Sequence, residues 1–164
     1  MSDLVARADA FARRKHRHQR RRDGVTPYVE HPRAVMRIVR DEFGVDDPEV
    51  LAAALLHDTI EDTATDYDEI REGFGRRVAD LVAVLTKDKR LPEERREDGY
   101  FAALARAPFA AKLCKIADTI HNLRDSDRAH RPKALGKGRR LRRAIEGTRG
   151  LGLALALLAG EMSR

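Results

Sequence analysis

The sequence LAAALLHDTIED, residues 51–62, places an apolar segment directly before a run that contains four ionisable side chains. Pro48 precedes the apolar part, and proline suits the first turn of a helix because the N–H it lacks would be unsatisfied there. Apolar residues lie almost all round this segment, which is typical of a helix in the middle of a bundle. We therefore predict that residues 51–62 form the central helix of an all-α protein.

The polar end of this predicted helix carries acids where the helix dipole disfavours negative charge. His57 and Glu61 are four residues apart, as are Asp58 and Asp62, which predicts two adjacent pairs along the helix. Carboxylates buried close together are costly unless positive charge compensates them. A divalent cation is the simplest compensator, so this run is a candidate metal site.

Helical periodicity dominates the rest of the chain, and alternating strand patterns are hard to find. Further helices are predicted at residues 4–11, 34–39, 67–74, 76–86, 92–105, 108–124 and 141–162. Segments without apolar order, predicted as loops, are 20–30, 87–92 and 125–138. The fold class is therefore predicted as all-α, a helical bundle of about eight helices that forms a single domain over residues 1–164.

Composition excludes several classes of protein. The chain has 164 residues, 42% hydrophobic and 37% charged, which excludes disorder and a membrane protein. Its longest uncharged apolar stretch, Gly150–Gly160, is about half the roughly 20 residues that span a bilayer, so we expect core or a face for homo-oligomer formation. One cysteine, Cys114, and an N-terminus without a secretory pattern predict a cytoplasmic protein.

The formal net charge of +6 and a pI near 9.8 favour an anionic partner. Aromatic residues make up only 5% and tryptophan is absent, which argues against a nucleic-acid partner, since base stacking needs such side chains. The basic runs 13–22 and 131–143 are read either as solvated surface or as steering for an anionic nucleotide.

A second polar cluster lies at residues 115–122, where Asp118 interrupts an apolar stretch and Asn122 follows one turn later. Taken alone, Asp118 is equally well explained by an ion pair with Lys115 on the same helix. His31 lies directly before a proline and is explained equally simply as a helix cap. The mixed nitrogen and oxygen donor set that we predict consists of His31, His57, Asp58 and Asp118. Such a set suits Mn²⁺ or another octahedral ion and leaves about two positions for water and substrate.

The order of these residues, with Glu61-Asp62 after His57-Asp58, resembles that of the HD-domain phosphohydrolases. The segments that carry a closer resemblance are RRRDGVTPYVEHP at 20–32, AALLHDTIEDT at 53–63, residues 74–87 and KIADTIHNLRD at 115–125. They are similar to RelA/SpoT-type guanosine 3′,5′-bis(diphosphate) hydrolases. The similarity covers about residues 5–128, and the short chain resembles the stand-alone small alarmone hydrolases, including metazoan SpoT homologues.

This resemblance implies a role for each matching residue. Mn²⁺ would be held by the four metal candidates, Glu61 and Asp62 would position and deprotonate water, and the nucleotide would contact Arg21, Arg22 and Asn122. Arg22 stands where the family more often has lysine, which keeps the charge and changes the donor geometry. The implied reaction is Mn²⁺-dependent hydrolysis of the 3′-diphosphate of ppGpp or pppGpp, giving GDP or GTP and pyrophosphate.

Two alternatives stay open at this point. One is another HD-domain phosphohydrolase of the 5′-deoxynucleotidase type, which the arginine-rich loop disfavours. The other is a non-catalytic basic HD protein that binds nucleotide or RNA, which the complete set of expected ligands and acids disfavours.

Overall fold

A computed structural model describes residues 2–164, and all the regular elements in that range are helices. They are α1 (Asp3–Lys15), α2 (Glu30–Arg37), a π-helical segment (Ile38–Glu42), α3 (Pro48–Leu56), α4 (Thr59–Asp62), α5 (Tyr67–Phe74), α6 (Arg76–Leu85), α7 (Glu93–Ala105), α8 (Phe109–Arg124), α9 (Arg131–Ile145) and α10 (Gly152–Met162). The predicted all-α class is confirmed, with ten α-helices where about eight were expected. None of these helices combines the length and apolarity needed to cross a membrane.

Helix α3 is central, as its apolar composition predicted. It begins at Pro48 behind Asp47, whose carboxylate accepts the backbone N–H of Glu49 at 3.0 Å. Every residue from 50 to 56 is buried, and α3 packs against α1, α2, α6 and α8. Burial on all sides removes apolar surface from water around the whole circumference, so α3 anchors one continuous hydrophobic core.

The prediction that this helix continues to residue 62 is wrong. Helix α3 ends at Leu56, His57 and Asp58 form a turn, and α4 begins at Thr59. The Thr59 hydroxyl donates to the Leu56 carbonyl at 2.6 Å, a local side-chain hydrogen bond that competes with the regular helical pattern. The two pairs predicted along one straight helix, His57 with Glu61 and Asp58 with Asp62, are therefore interrupted by a turn at His57 and Asp58.

The C-terminal third also differs from the sequence prediction. Most of the predicted loop 125–138 belongs to α9, and the predicted helix 141–162 is divided into α9 and α10. The break lies where Gly147 and Gly150 adopt φ of +80° and +88°, in the left-handed region that favours glycine. The many basic residues of α9 obscure the apolar period on which the prediction relied.

Arg124, at the end of α8, connects three elements. Its guanidinium donates to both oxygens of Glu42 in the π-helical segment, at 2.6 and 2.9 Å. It also donates to Glu161 of α10 at 2.8 Å, and the Glu161 side chain is only 7% exposed. Because a buried carboxylate needs a partner, Arg124 secures α10 against the bundle.

We expect Arg124→Met to lower the free energy of unfolding by about 2 kcal/mol. Glu161 would remain buried, and its remaining charged partner would be the exposed Arg164 at 3.1 Å. Urea denaturation measures this change. Arg76→Met is the matched control, because the Arg76–Asp80 pair is exposed at 3.7 Å and such pairs contribute about 0–1 kcal/mol. Equal losses in both variants would contradict a special role for Arg124.

Candidate active site

A cavity of about 540 Å³ opens beside the turn between α3 and α4. Its walls come from the loop before α2, from α4, and from α7, α8 and α9. All the site residues that the sequence predicted line it: Arg21, Arg22, His31, His57, Asp58, Glu61, Asp62, Asp118 and Asn122. Residues separated by up to about a hundred positions thus meet in one place.

Two imidazoles and a carboxylate form the floor of this cavity. One ligand atom each from His31, His57 and Asp118 lies within 4.8 Å of the other two, and all three residues are buried. Asp58 joins them, with its Oδ2 3.1 Å from His57 Nε2 and 3.5 Å from His31 Nε2. These four side chains, which we call the floor cluster, could hold a metal ion.

Hydrogen bonds orient both imidazoles of the floor cluster. His57 Nδ1 donates to the Ala54 carbonyl at 2.8 Å, so Nε2 is the nitrogen that faces the cluster. That Nε2 is buried and makes no hydrogen bond within the described chain. His31 Nδ1 lies 2.8 Å from His121 Nδ1, which leaves His31 Nε2 directed at Asp118 Oδ1, 3.1 Å away. A buried imidazole nitrogen without a partner, beside carboxylates, fits a cation.

The electrostatics of the floor cluster also favour positive charge. Burial opposes a charged imidazole, but the carboxylates of Asp58 and Asp118 outweigh it and raise the pKa of His57 to about 9. Burial, followed by the neighbouring His31, lowers the pKa of His121 to about 4. His121 is therefore a neutral ring that can accept the His31 Nδ1–H, which fixes the tautomer that a metal ligand needs.

Each carboxylate of the floor cluster has a supporting partner. The Tyr28 hydroxyl donates to Asp58 Oδ2 at 2.6 Å. Asp118 accepts from Lys115 at 2.7 Å and from the Asn122 amide at 2.6 Å. Burial opposes ionisation of Asp118, but Lys115 and the two imidazoles hold the pKa of its carboxyl well below the usual range. Asp118 thus makes the local lysine pair and also belongs to the floor cluster.

Glu61 and Asp62 lie beside the floor cluster, and the loop between α6 and α7 holds both of them. Glu61 Oε2 accepts the backbone N–H of Lys87 at 2.9 Å, and burial raises the pKa of Glu61. The Asp62 carboxylate pairs with the Lys89 ammonium, while Gln19 of the α1–α2 connection donates to the Asp62 carbonyl at 2.6 Å. Both acids are therefore placed by contacts from outside their own helix.

The arginine loop, residues 20–27, closes on itself through an isolated bridge between Arg20 and Pro27. Arg21 is 12% exposed and donates to Asp125 at 3.1 and 2.5 Å. Arg22 is exposed, and no carboxylate of the described residues lies within 4.0 Å of it. Arg21 is therefore positioned in advance, whereas Arg22 is free to move toward an anion.

Sequence reasoning missed several residues of the cavity. His121 and Tyr28 lie inside the motifs quoted from the sequence, but no role was given to either, although a histidine next to a predicted ligand is a usable signal. Lys87, Tyr100 and Lys137 also line the cavity. Lys137 lies in the segment predicted as a loop, so no sequence pattern linked it to the site.

The family model described as HD domain matches residues 8–144, which is most of the chain. The chain belongs to the HD-domain family.

The relatives of this HD-domain chain include named enzymes. It is 48% identical over 128 residues to the guanosine-3′,5′-bis(diphosphate) 3′-pyrophosphohydrolase MESH1 of Homo sapiens, covering 77% of this chain and 71% of that protein. It is 42% identical over 116 residues to MESH1 of Drosophila melanogaster, covering 70% and 65% of the two chains. The resemblance stated from the sequence is confirmed, and the chain is a hydrolase of the HD phosphohydrolase family.

A solved structure of a metazoan SpoT orthologue, described as hydrolysing ppGpp, superposes on this chain with a TM-score of 0.89 at 31% identity. The alignment covers 99% of this chain and 96% of the other. The HD-domain helical fold therefore extends over the described chain, including the α9 and α10 helices that lie beyond the family motifs.

We expect a divalent transition-metal ion to raise the melting temperature of the protein, because it would neutralise the floor cluster. His121→Ala should weaken binding of that ion about 10- to 100-fold, since His121 orients His31. Thermal unfolding with and without the metal ion measures the melting temperature, and calorimetric titration measures the affinity. His18→Ala is the control, because His18 is exposed and does not line the cavity. A similar affinity for both variants would contradict this role of His121.

Proposed function

We propose that this protein hydrolyses the 3′-diphosphate of guanosine 3′,5′-bis(diphosphate), releasing pyrophosphate and GDP, or GTP from the pentaphosphate, with Mn²⁺ as cofactor. The observation that carries the proposal is the floor cluster of two imidazoles and two carboxylates in a cavity bordered by the arginine loop. The names of its relatives, ppGpp 3′-pyrophosphohydrolases from animals, support the choice of substrate.

In this proposal His31, His57, Asp58 and Asp118 hold the Mn²⁺. Two nitrogens and two carboxylate oxygens are donors that this ion accepts. Cys114 also lines the cavity, but burial raises the pKa of its thiol to about 12, so it stays protonated and does not compete as a thiolate. When bound, such an ion supplies Lewis acidity, which acidifies water and withdraws charge from a phosphoryl oxygen.

Asp62 takes the proton of the attacking water, and Glu61 positions that water. Both acids lie within the cavity next to the floor cluster. The Lys89 ammonium pairs with the Asp62 carboxylate and holds it at the edge of the cavity. Glu61 has one oxygen engaged by the Lys87 N–H, so its carboxylate has a defined orientation and its other oxygen can accept a hydrogen bond from water. A general base of this type contributes about 10²- to 10⁴-fold to the rate.

Arg21, Arg22 and Asn122 bind the nucleotide. Asp125 holds the Arg21 guanidinium in place, so little side-chain entropy is lost when a phosphate binds. The Asn122 amide donates to Asp118 and lies 3.5 Å from Arg21 Nη2. Asn122 therefore connects the arginine loop to the floor cluster, and in this proposal it contacts the nucleotide.

The test is incubation with Mn²⁺ and guanosine 3′,5′-bis(diphosphate), followed by chromatography for pyrophosphate and GDP. We expect stoichiometric release of both. Phosphate release from deoxynucleoside monophosphates, without turnover of the bis(diphosphate), would assign the chain to the 5′-deoxynucleotidase type. Salt-sensitive RNA binding without turnover of either compound would identify a non-catalytic binding protein.

We expect Asp62→Ala to retain metal binding and to lower kcat about 10²- to 10⁴-fold, because the proton acceptor is removed while the floor cluster stays intact. Steady-state kinetics and metal titration of the same preparation measure the two effects. Asp68→Ala is the control, since Asp68 is an exposed acid of α5 outside the cavity. A normal rate for Asp62→Ala would remove Asp62 from the role of base.

Arg21→Ala should raise KM about tenfold or more with a smaller change in kcat, because a charge-assisted contact to phosphate is lost. Arg17→Ala is the matched control, since Arg17 is exposed and does not line the cavity. Steady-state kinetics gives KM and kcat for both variants. An unchanged KM for Arg21→Ala would show that another residue contacts the phosphate.

A further inference from the structure

A group of three lysine side chains and one tyrosine lies in the same cavity but takes no part in the mechanism above. It consists of Lys87 after α6, Tyr100 of α7, Lys115 of α8 and Lys137 of α9, and we call it the lysine cluster. Four separate elements of the fold contribute one residue each, so the cluster is built by the tertiary structure rather than by one basic run of sequence.

Tyr100 lies at the centre of the lysine cluster. Its side chain is buried, with 5% of the residue exposed, and its hydroxyl makes no hydrogen bond among the described residues. The ammonium groups of Lys87 and Lys115 lie 5.2 and 5.3 Å from the centre of its ring. Buried tyrosine hydroxyls normally find a partner. A buried hydroxyl donor without a partner, on a ring that two ammonium groups approach, is suited to an anionic acceptor.

The charges of the lysine cluster do not balance. Lys87 pairs with Glu97 at 2.6 Å and Lys115 pairs with Asp118 at 2.7 Å. For Lys137, by contrast, no carboxylate within the described part of the chain lies within 4.0 Å. Desolvation and the neighbouring charge of Lys87 lower the pKa of Lys137, although the residue is exposed by surface area. A bound anion would supply the carboxylate-like partner that Lys137 lacks among the described residues.

Helix α8 shows where the lysine cluster lies relative to the rest of the site. Lys115, Asp118 and Asn122 follow one another at three- and four-residue steps, so they share one face of the helix. Lys115 belongs to the lysine cluster, Asp118 to the floor cluster, and Asn122 lies beside Arg21. The seven residue steps from Lys115 to Asn122 span about 10 Å. The floor cluster is therefore flanked by positive charge on both sides, at a separation too large for one phosphate group.

We propose that the lysine cluster is a phosphate subsite, which binds a different phosphate group of the nucleotide from the one that Arg21 binds. Ammonium groups and a tyrosine hydroxyl are suitable donors for phosphate oxygens. The cavity then selects nucleotides that carry phosphate groups at two separate positions over nucleoside monophosphates. This inference rests on the proposed function, in which a bis(diphosphate) is the substrate.

The test uses the full chain at a fixed Mn²⁺ concentration and measures its affinities for inorganic pyrophosphate and for GDP by calorimetry. Tyr100→Phe keeps the buried ring and removes only the hydroxyl, and Lys137→Ala removes the ammonium that has no carboxylate partner. We expect each variant to weaken one of the two ligands about tenfold. A lower affinity for pyrophosphate assigns the subsite to the reacting diphosphate. A lower affinity for GDP assigns it to the 5′-diphosphate.

Arg139→Ala is the matched control, because Arg139 is another exposed cation of α9 that does not line this cavity, and it should leave both affinities unchanged. Unchanged affinities in Tyr100→Phe and Lys137→Ala would overturn the proposal, and so would an equal loss in the control. The result is independent of the proposed reaction. If the protein does not hydrolyse the bis(diphosphate) but its pyrophosphate affinity depends on Lys137, the proposed function is wrong and the subsite proposal still stands.

Discussion

The structure depends on one electrostatic constraint, the packing of two imidazoles and two carboxylates at the end of its central apolar helix. Removing such groups from water is unfavourable unless each gains a partner. Much of the surrounding architecture supplies these partners: Tyr28 from the arginine-loop side, Lys115 and Asn122 from α8, and the Ala54 carbonyl from α3 itself. The polar contacts around α3 are therefore as necessary to this fold as its hydrophobic packing.

Sequence pattern was sufficient for the parts of the fold in which burial is uniform along the chain. The apolar run of α3 and the ordered motifs with His31, His57 and Asp118 predicted both the central helix and the residues that converge on the cavity. Pattern failed where a local interaction decided the backbone. The Thr59 hydroxyl bond that ends α3 is invisible to periodicity, and so are the left-handed glycines that separate α9 from α10.

The residues around the floor cluster were harder to predict for another reason. His121 stood within a quoted motif, but its contact with His31 depends on how α2 and α8 pack, which no spacing along one helix can reveal. Tyr100 and Lys137 lie on α7 and α9, outside any motif, and only the tertiary fold brings them to the same cavity. The sequence thus predicted the candidate metal ligands but not the groups that orient and surround them.

The loop between α6 and α7 has a consequence for how this enzyme can change over evolution. Its backbone N–H at Lys87 orients Glu61, its Lys89 side chain pairs with Asp62, and its Lys87 side chain reaches Tyr100. One short connection therefore touches both acids and the lysine cluster. In the mechanism and the subsite proposed above, a substitution that shifts this backbone would alter proton transfer and phosphate affinity together. Natural selection acting on the loop would then tune turnover and substrate preference as one linked trait.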